Sequence, residues 1–385
     1  MTNNKIIHIF GAGISGCTLA RLYASKGYKV NLYEKKGYVG GNCYDFYDEH
    51  GVLVHLYGPH IFHTNNEDVF NFIKDYTTLN SYKNKVLVNV KNKLIPLPIN
   101  FTSIKVIDPV HADEIINILK EKFPNQKTIT IFDLKSIDNE HVKSLTDFIF
   151  ANVYANYSSK MWGVKFEEIN PAIINRVKVC LDYESDYFPE DKYQGLPVDG
   201  YTKMIENIIK HENIDLILNS QHVLSIKDNQ TFIDNELITQ PIFYCGPIDE
   251  LFNYQFGQLP YRSLQIKFET HNVDSFQQVG VVNYPADPTM TRITEYKKMS
   301  LQNIKNITTI SKEYPGQFDL NSQQFNTRYY PIVNEKNTNL YCQYQDLAKQ
   351  ISNLHLIGRL AEYKYYDMDD AIISVFDKFK KLNKI

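Results

Sequence analysis

The sequence lacks any apolar run long enough to cross a membrane. Its 385 residues contain no stretch that approaches the roughly 18 consecutive apolar residues of a spanning helix. Met1-Thr2-Asn3-Asn4-Lys5 leads directly into a short predicted strand, without the charged and hydrophobic regions of a signal peptide. We therefore expect a cytoplasmic protein with no membrane insertion.

Strong charge and paired cysteines are also missing. The net charge is -3 and there is no long basic tract, so nucleic acid is not an expected partner. The cysteines are odd in number and never stand at metal-ligand spacing, and we expect reduced, mostly structural thiols. They are Cys17, Cys43, Cys180, Cys245 and Cys342.

Arginine is scarce, whereas tyrosine is abundant. The chain has 41 basic residues and 28 tyrosines. Since lysine is accepted at most basic positions, we interpret the remaining arginines as places that need a flat, bidentate and permanently charged group. We do not extend this interpretation to Arg21, which lies on a predicted helix. The arginines are Arg21, Arg176, Arg262, Arg292, Arg328 and Arg359.

The chain opens with the pattern of a βαβ unit. Lys5–Phe10 is a short apolar run that predicts a buried strand. Ser15–Lys26 has helical spacing, and Lys29–Glu34 alternates like a second strand. The length of the chain predicts two or three packed units in all.

Further along, the pattern changes twice. Apolar residues recur at helical spacing between about 101 and 185, and short β-type runs dominate between about 250 and 335. The end returns to a strand, Leu354–Ile357, and a helix, Met368–Leu382. Asp367 stands at the N-cap position of that helix.

A glycine turn follows the first predicted strand. Gly11-Ala12-Gly13-Ile14-Ser15-Gly16 fits G-x-G-x-x-G and opens the predicted helix, which is the context of a dinucleotide site. Glycine allows a tight turn and a close approach of pyrophosphate to the helix N-terminus. Glu34, 18 residues beyond Gly16, is placed to accept hydrogen bonds from ribose hydroxyls. A plain turn followed by a surface glutamate is the alternative.

A second glycine pair favours FAD over a nicotinamide cofactor. Gly40-Gly41-Asn42 stands six residues beyond Glu34 and resembles the FAD-binding class that includes amine oxidases. In that class a late helix points its positive end at the flavin, and the helix after Asp367 matches this position.

Beyond these elements the chain resembles the UDP-galactopyranose mutase family nearly from end to end. The matching segments, in family order, are Tyr57-Gly58-Pro59-His60-Ile61-Phe62-His63-Thr64, Asn84, Tyr157, Trp162-Gly163, Arg176, Tyr187-Phe188, Tyr193-Gln194-Gly195-Leu196-Pro197-Val198, Gly200-Tyr201-Thr202-Lys203, Tyr244-Cys245-Gly246-Pro247-Ile248-Asp249, Tyr261-Arg262-Ser263-Leu264, Thr291-Arg292, Lys312-Glu313-Tyr314-Pro315, Tyr329-Tyr330-Pro331 and Gly358-Arg359-Leu360-Ala361-Glu362-Tyr363-Lys364-Tyr365-Tyr366-Asp367-Met368.

The resemblance implies an α/β fold: a Rossmann-like FAD-binding domain with an inserted helical domain and an antiparallel β-sheet domain. We expect the FAD-binding domain at 1–82, 196–249 and 336–385. The helical domain is expected at 101–185, and the sheet domain at 83–100, 186–195 and 250–335. Bacterial relatives also imply a homodimer.

The resemblance also implies site residues. Those expected at the cofactor are Gly11, Gly13, Ser15, Gly16, Glu34, Lys35, Gly41, Asn42, His60, Ile61, Arg359, Tyr366, Asp367 and Met368. Those expected at the nucleotide sugar are Asn84, Tyr157, Ser158, Trp162, Arg176, Tyr187, Phe188, Arg262, Arg292, Tyr314 and Tyr365. The catalytic set is His63, Arg176, Arg292, Tyr314 and Tyr365.

These residue types suit a nucleotide sugar. Arg176 and Arg292 match the arginines that hold the diphosphate, for which guanidinium forks are apt. Tyr157 and Phe188 offer aromatic faces for uracil, and Trp162 matches a mobile-loop residue that closes over substrate. His60 and His63, three residues apart, have no third metal ligand evident, so we expect no metal.

The resemblance implies that reduced FAD attacks the anomeric carbon and expels UDP, after which the sugar ring opens and re-closes through another hydroxyl.

Departures from the family leave the identity of the sugar and of the base open. Arg176-Val177-Lys178-Val179-Cys180 lacks the usual proline and second arginine, Asp199 replaces a glycine, and Ser158 replaces a frequent threonine. UDP-N-acetylgalactosamine and dTDP-fucose are alternative substrates. An FAD-dependent amine oxidase or desaturase, and a non-catalytic flavin-binding protein, are the rival functions.

Overall fold

The structure, a computed structural model, describes residues 5–163, 165, 178–184 and 186–384. Its strands, in chain order, are β1 (Ile6–Phe10), β2 (Lys29–Tyr33), β3 (Asp45–Tyr47), β4 (Leu53–His55), β5 (Phe62–Thr64), β6 (Val86–Val90), β7 (Lys93–Leu97), β8 (Thr128–Ile129), β9 (Val179–Cys180), β10 (Tyr193–Gly195), β11 (Ile214–Ile217), β12 (Leu224–Lys227), β13 (Gln230–Ile233), β14 (Glu236–Ile238), β15 (Ile242–Tyr244), β16 (Tyr261–His271), β17 (Val281–Asn283), β18 (Arg292–Glu295), β19 (Thr308–Gln317), β20 (Tyr330–Pro331) and β21 (Leu354–Leu356).

Helices lie between and after these strands. The described α-helices are α1 (Ile14–Ser25), α2 (Glu67–Lys74), α3 (Phe101–Ile107), α4 (Ala112–Lys122), α5 (Ile131–Lys135), α6 (Glu140–Ile149), α7 (Asn156–Trp162), α8 (Tyr201–Ile209), α9 (Ile248–Leu251), α10 (Tyr296–Met299), α11 (Glu335–Lys349) and α12 (Met368–Asn383). A 3₁₀ turn, Gly41–Cys43, and a π-helical turn, Phe150–Ala155, complete them.

A parallel five-stranded sheet forms the first layer. Its order is β11-β2-β1-β15-β21, and every neighbouring pair is parallel. Ile7 and Ile9 of β1 are fully buried, as expected for a central strand covered on both faces. The predicted opening βαβ unit is confirmed, since β1, α1 and β2 each begin and end within one residue of the predicted bounds.

A larger sheet of seven strands forms the second layer, in the order β20-β16-β19-β18-β17-β6-β7. Its pairs are antiparallel except β17 with β6, which run parallel. β10 lies within 186–195, which we grouped with this sheet, but it pairs with β5. The Rossmann-like α/β fold with parallel and antiparallel sheets is therefore confirmed.

Helices α3 to α7 follow one another between β7 and β9. α6 continues through the π-helical turn into α7 without leaving helical backbone, because the residues at both junctions have right-handed helical torsions. The run ends at Gly163, whose φ of 68° suits the left-handed cap that glycine adopts without strain. This single helical run carries Tyr157 to one end of the seven-stranded sheet.

The last helix, α12, packs against α1. The rings of Tyr23 on α1 and Phe379 on α12 meet edge to face, 4.9 Å apart. Asp367 occupies the N-cap position as predicted, and its backbone N–H donates to Asp370, 3.1 Å away. No helix among the described residues is long and apolar enough to cross a membrane. All five cysteines are free thiols, as the sequence predicts.

Candidate active site

One large cavity of about 490 Å³ opens beside the carboxyl ends of the parallel strands. Gly11 after β1, Gly246 beyond β15 and Gly358 beyond β21 all line it. Ligands of doubly wound sheets bind at this edge, because the loops there leave a crevice. The volume falls in the usual range of small-molecule sites.

The glycine turn shapes the first wall of the cavity. A Cβ on Gly16 would lie 2.0 Å from the carbonyl oxygen of Gly11, so no side chain fits there. Gly41 has a φ of 56°, and a Cβ on it would lie 3.2 Å from the Cα of Gly13. α1 begins at this turn without a side-chain cap, which leaves its first amides to a ligand. These features fit a dinucleotide pyrophosphate.

Glu34 closes the turn from the neighbouring strand. Its Oε2 accepts a hydrogen bond from the Ala12 N–H at 2.8 Å, and its Oε1 accepts one from the Lys36 N–H at 3.0 Å. The carboxylate is therefore fixed at the position expected for ribose recognition. Lys35, in contrast, is 79% exposed and pairs with Glu250 on the surface.

The structure brings all fourteen predicted cofactor residues to the cavity wall. They are Gly11, Gly13, Ser15, Gly16, Glu34, Lys35, Gly41, Asn42, His60, Ile61, Arg359, Tyr366, Asp367 and Met368. Further residues at the Glu34 end were missed, among them Tyr33, Lys36, Ser220 and His222. Tyr33 and Lys36 lie close to Glu34 in sequence and were open to prediction, whereas Ser220 and His222 arrive from a distant loop.

His60 is held neutral in the interior. Burial, together with the neighbouring His55, lowers the pKa of His60 to about 3. Its Nδ1 donates to the Gly58 carbonyl at 2.8 Å, while its backbone N–H donates to Nδ1 of His55 at 3.1 Å. In the described parts of the chain, no group of three or more His, Cys, Asp or Glu side chains is placed to hold a metal ion.

A buried ion pair reaches the cavity through Arg292, which lines it. Arg292 Nε lies 2.9 Å from Glu313 Oε2, close but not aligned as a hydrogen bond. The Glu313 side chain is fully buried and that of Arg292 is 21% exposed. Burial works to lower the pKa of Arg292, but Glu313 together with Tyr157, Tyr330 and Tyr187 outweighs it, and the net shift is upward. Glu313 was not predicted as a site residue, although it lies in the family-like segment Lys312-Glu313-Tyr314-Pro315.

Tyrosines line another part of the cavity and form what we call the tyrosine wall: Tyr157, Tyr187, Tyr330 and Tyr365. Tyr330 and Tyr365 stack with ring centroids 5.4 Å apart, and the guanidinium of Arg359 lies 5.5 Å from the Tyr330 ring. Burial raises the pKa of Tyr157 to about 12, so its hydroxyl keeps its proton and can donate. Tyr187 lines the same wall. Tyr330 was missed, although it too stands in a quoted motif.

The other predicted substrate residues at the cavity are Asn84, Phe188 and Arg292, together with the catalytic candidate His63. The ring of Phe188 stacks on that of His63, with centroids 3.7 Å apart. Arg176 lies outside the described residues.

Four predicted substrate residues do not line the cavity. Tyr314 follows Glu313 on β19, and since alternate residues of a strand face opposite sides, it packs instead with Met290. Arg262 donates to the carbonyls of Met161 and Lys160, at 2.6 and 3.1 Å, at the end of α7. The remaining two also lie on α7: Ser158 and Trp162.

Trp162 nevertheless lies just behind the cavity wall. Its ring centroid is 6.4 Å from that of Tyr330 and 6.2 Å from that of Tyr365, both of which line the cavity. It therefore supports the tyrosine wall from outside.

Comparison with known proteins identifies the family from the sequence. The sequence model of the UDP-galactopyranose mutase family matches residues 152–365, and that of a NAD(P)-binding Rossmann-like domain matches residues 9–76. A UDP-galactopyranose mutase of Mycoplasma pneumoniae is 42% identical over 379 residues, 97% of this chain and 95% of that protein. A dTDP-fucopyranose mutase of Escherichia coli is 34% identical over 380 residues, 96% of each.

Solved structures agree on the fold. A crystal structure of reduced UDP-galactopyranose mutase has a TM-score of 0.73 at 16% identity, over 100% of this chain and 94% of that one. Putrescine oxidase bound to putrescine has a TM-score of 0.56 at 10% identity, over 99% of both chains. With relatives 42% identical over nearly the whole length, the chain belongs to the UDP-galactopyranose mutase family and is an isomerase of nucleotide sugars.

Proposed function

We propose that this enzyme binds FAD and interconverts UDP-galactopyranose and UDP-galactofuranose. The observation that carries the proposal is that a single cavity joins the glycine turn to the wall of Arg292 and tyrosines. A dinucleotide and a second phosphorylated ligand can thus meet in one space. A plain flavin oxidase of amines needs no such cation and phenol groups for a diphosphate.

The protein surroundings fit FAD. The turn at Gly16 and Gly41 has room for backbone-bound pyrophosphate but for no side chain, and Glu34 is fixed beside it. The N-terminus of α12 brings Asp367 and Met368 to the same cavity, where a helix dipole stabilises negative charge. When bound in its reduced form, FAD would supply the nucleophile for the anomeric carbon, while the glycine turn, Glu34 and the N-terminus of α12 would hold it in place.

The side chains of the wall would hold the nucleotide sugar. Arg292 presents its guanidinium to the cavity beside the buried Glu313, so its charge would meet the departing diphosphate in a site of low dielectric. Tyr157 is placed to donate from a protonated hydroxyl. Phe188 stacks on His63, meets Tyr187 edge to face and lines the cavity, where its ring would contact uracil. We assign Arg176 to the diphosphate as well, from the resemblance.

Galactose is favoured over fucose as the sugar. The relatives that are 42% identical over nearly the full chain are both UDP-galactopyranose mutases, whereas the dTDP-fucopyranose mutase is 34% identical. The exchange of ring form needs a free hydroxyl on the sugar and no net oxidation.

We also propose that the enzyme works in the cytoplasm and forms a homodimer. For a homodimer, light scattering should give twice the mass of one chain.

The test is direct turnover by the purified flavoprotein. After reduction with dithionite, the protein should convert UDP-galactofuranose to UDP-galactopyranose, and the conversion is measured by chromatography. The oxidised protein should not convert it. UDP-N-acetylgalactosamine and dTDP-fucose serve as comparison substrates. A protein that binds no FAD, or equal turnover without reductant, would refute the proposal. Hydrogen peroxide release with putrescine would point to an amine oxidase instead.

A further inference from the structure

A hydrogen bond joins His63 to a carboxylate that is distant in sequence. His63 lies on β5, and Asp191 lies in the segment before β10. The His63 Nδ1 and Asp191 Oδ2 atoms are 2.7 Å apart, and the two side chains are only 17% and 21% exposed. The bond therefore forms at the edge of the cavity, in partial shelter from water.

The carboxylate is itself fixed in place. Its second oxygen, Oδ1, accepts a hydrogen bond from Asn65 Nδ2 at 2.8 Å. Asn65 in turn accepts one from the Lys192 N–H at 2.8 Å, which ties the two segments together. The backbone N–H of Asp191 donates to the Phe188 carbonyl at 3.2 Å. Asp191 thus makes two hydrogen bonds besides the one to the imidazole, and a third fastens its neighbour Lys192.

The imidazole ring is clamped as well. Its face lies on the ring of Phe188, with centroids 3.7 Å apart and planes inclined by 14°. Among the described residues, Nδ1 alone of the two ring nitrogens is hydrogen-bonded within the protein. A second carboxylate, that of Asp369 on α12, interacts electrostatically with the His63 ring and accepts a hydrogen bond from the Thr64 hydroxyl.

These contacts decide which ring nitrogen carries the proton. An ionised carboxylate only accepts hydrogen bonds, so the nitrogen that faces it must be N–H. The hydrogen bond at one nitrogen of a neutral imidazole leaves the other as an acceptor. For His63 this acceptor is Nε2, on the opposite edge of a ring that lines the cavity.

We propose that Asp191 is a positioning residue that holds His63 as the Nδ1–H tautomer, so that Nε2 accepts a hydrogen bond from a hydroxyl of the sugar. The sugar assignment rests on the proposed function, whereas the tautomer assignment does not. Phe188 stacks on the His63 ring, so the hydrogen bond between His63 and Asp191 also orients Phe188.

Asp191→Asn is the informative variant, because it keeps the shape and removes the charge. An asparagine can either donate to Nδ1 or accept from it, so the tautomer is no longer imposed. Asn65→Ala is the matched control, since it loses a bond to Asp191 but leaves the bond to His63. A merely structural tie between the two segments would be weakened by both variants alike.

The first readout is the tautomer of His63 in protein labelled with ¹⁵N-histidine. The His63 signals among the 11 histidines are assigned with His63→Gln. At about pH 8, where an ordinary imidazole is neutral, the wild type and Asn65→Ala should show Nδ1–H. Asp191→Asn should show a mixture. An Nε2–H tautomer in the wild type, or an unchanged spectrum in Asp191→Asn, overturns the proposal.

The second readout is turnover. Asp191→Asn should lower kcat by about 10- to 100-fold with little change in KM, since the outer partner of a functional histidine contributes on this scale. Asn65→Ala should stay within a few-fold of the wild type. If Asp191→Asn turns over normally, the sugar contact is refuted. If no nucleotide sugar is converted by the wild type while the tautomer still follows Asp191, the proposed function fails and the positioning role stands.

Discussion

Replacing Arg292 by alanine is expected to weaken the fold as well as the reaction. The only charge that faces the fully buried Glu313 at ion-pair distance, among the described residues, is the guanidinium 2.9 Å away. Neither carboxylate oxygen has an aligned hydrogen bond. Removing one partner of a buried pair typically costs about 3 to 5 kcal/mol, because the other charge is left without compensation. Because Glu313 is fully buried, water does not screen its charge.

The loss should depend on pH. Burial raises the pKa of Glu313, and the charge of Arg292 opposes this in part, so that the net shift remains upward. In the Arg292→Ala variant only the raising cause remains, so the folded pKa lies above that of the unfolded chain, about 4.3. A raised acid contributes stability that is present below the unfolded pKa and is lost as pH rises through the folded value. The variant should therefore approach wild-type stability near pH 4 to 5 and fall furthest behind near pH 8.

Urea unfolding of the flavin-free proteins at both pH values measures this. Arg292→Ala/Glu313→Gln should recover most of the lost stability at about pH 8, because it removes the stranded charge. Arg292→Lys, which retains a cation, should lose less than alanine. An Arg292→Ala protein that unfolds at the wild-type urea concentration, or a loss that is independent of pH, would refute the reasoning.

The same double variant separates stability from catalysis. Although its fold is restored, it still lacks the cation at the diphosphate, and the rate should remain lower by about 100-fold or more. If the double variant regains wild-type turnover, Arg292 acts only through the fold, and the assignment to the leaving group fails.

Two further predictions concern the cofactor turn and α7. Gly16→Ala should give a protein that retains little flavin, since the new Cβ would lie 2.0 Å from a carbonyl oxygen. Ser25→Ala, at an exposed position of the same helix, is the control, and the ratio of flavin to protein absorbance is the measurement. Lys160→Met should raise KM for the nucleotide sugar and lower the melting temperature, because the ammonium contacts four backbone carbonyls between residues 284 and 290 and so fastens the helix that carries Tyr157. Lys143→Met, on the exposed part of the preceding helix, should change neither.

Local patterns were enough to predict the dinucleotide part of the structure. The strand β1, the turn at Gly11 and the helix α1 are contiguous. A short apolar run predicts the strand, the glycines predict the turn, and the helical spacing of apolar residues predicts the helix. Glu34 follows from the same logic, because the strand that carries it is short and begins soon after α1. Ser220 and His222 reach the cavity from a loop beyond β11, and no local signal in the sequence ties that loop to Glu34.

The seven-stranded sheet shows why motifs alone misplace side chains. Glu313 and Tyr314 are adjacent, so only one of them can face the cavity, and the register that pairs Glu313 with Arg292 decides it. Tyr330, which we did not predict as a site residue, lines the cavity, whereas Tyr314 does not. Sequence alone does not reveal which face of a strand meets the site, since both faces of this sheet carry apolar residues.

The scarcity of arginine identifies a geometric need that is broader than catalysis. Arg292 and Arg359 line the cavity. Arg262 instead spans two carbonyls at the end of α7, and Arg328 bonds Glu250 and Tyr254 while it lies 4.2 Å above the Phe318 ring. Each of the last two uses the width or the flat face of the guanidinium, which an ammonium lacks. In a chain rich in lysine, a retained arginine therefore predicts a forked or stacked contact, and only the fold decides whether its partner is a ligand or the protein itself.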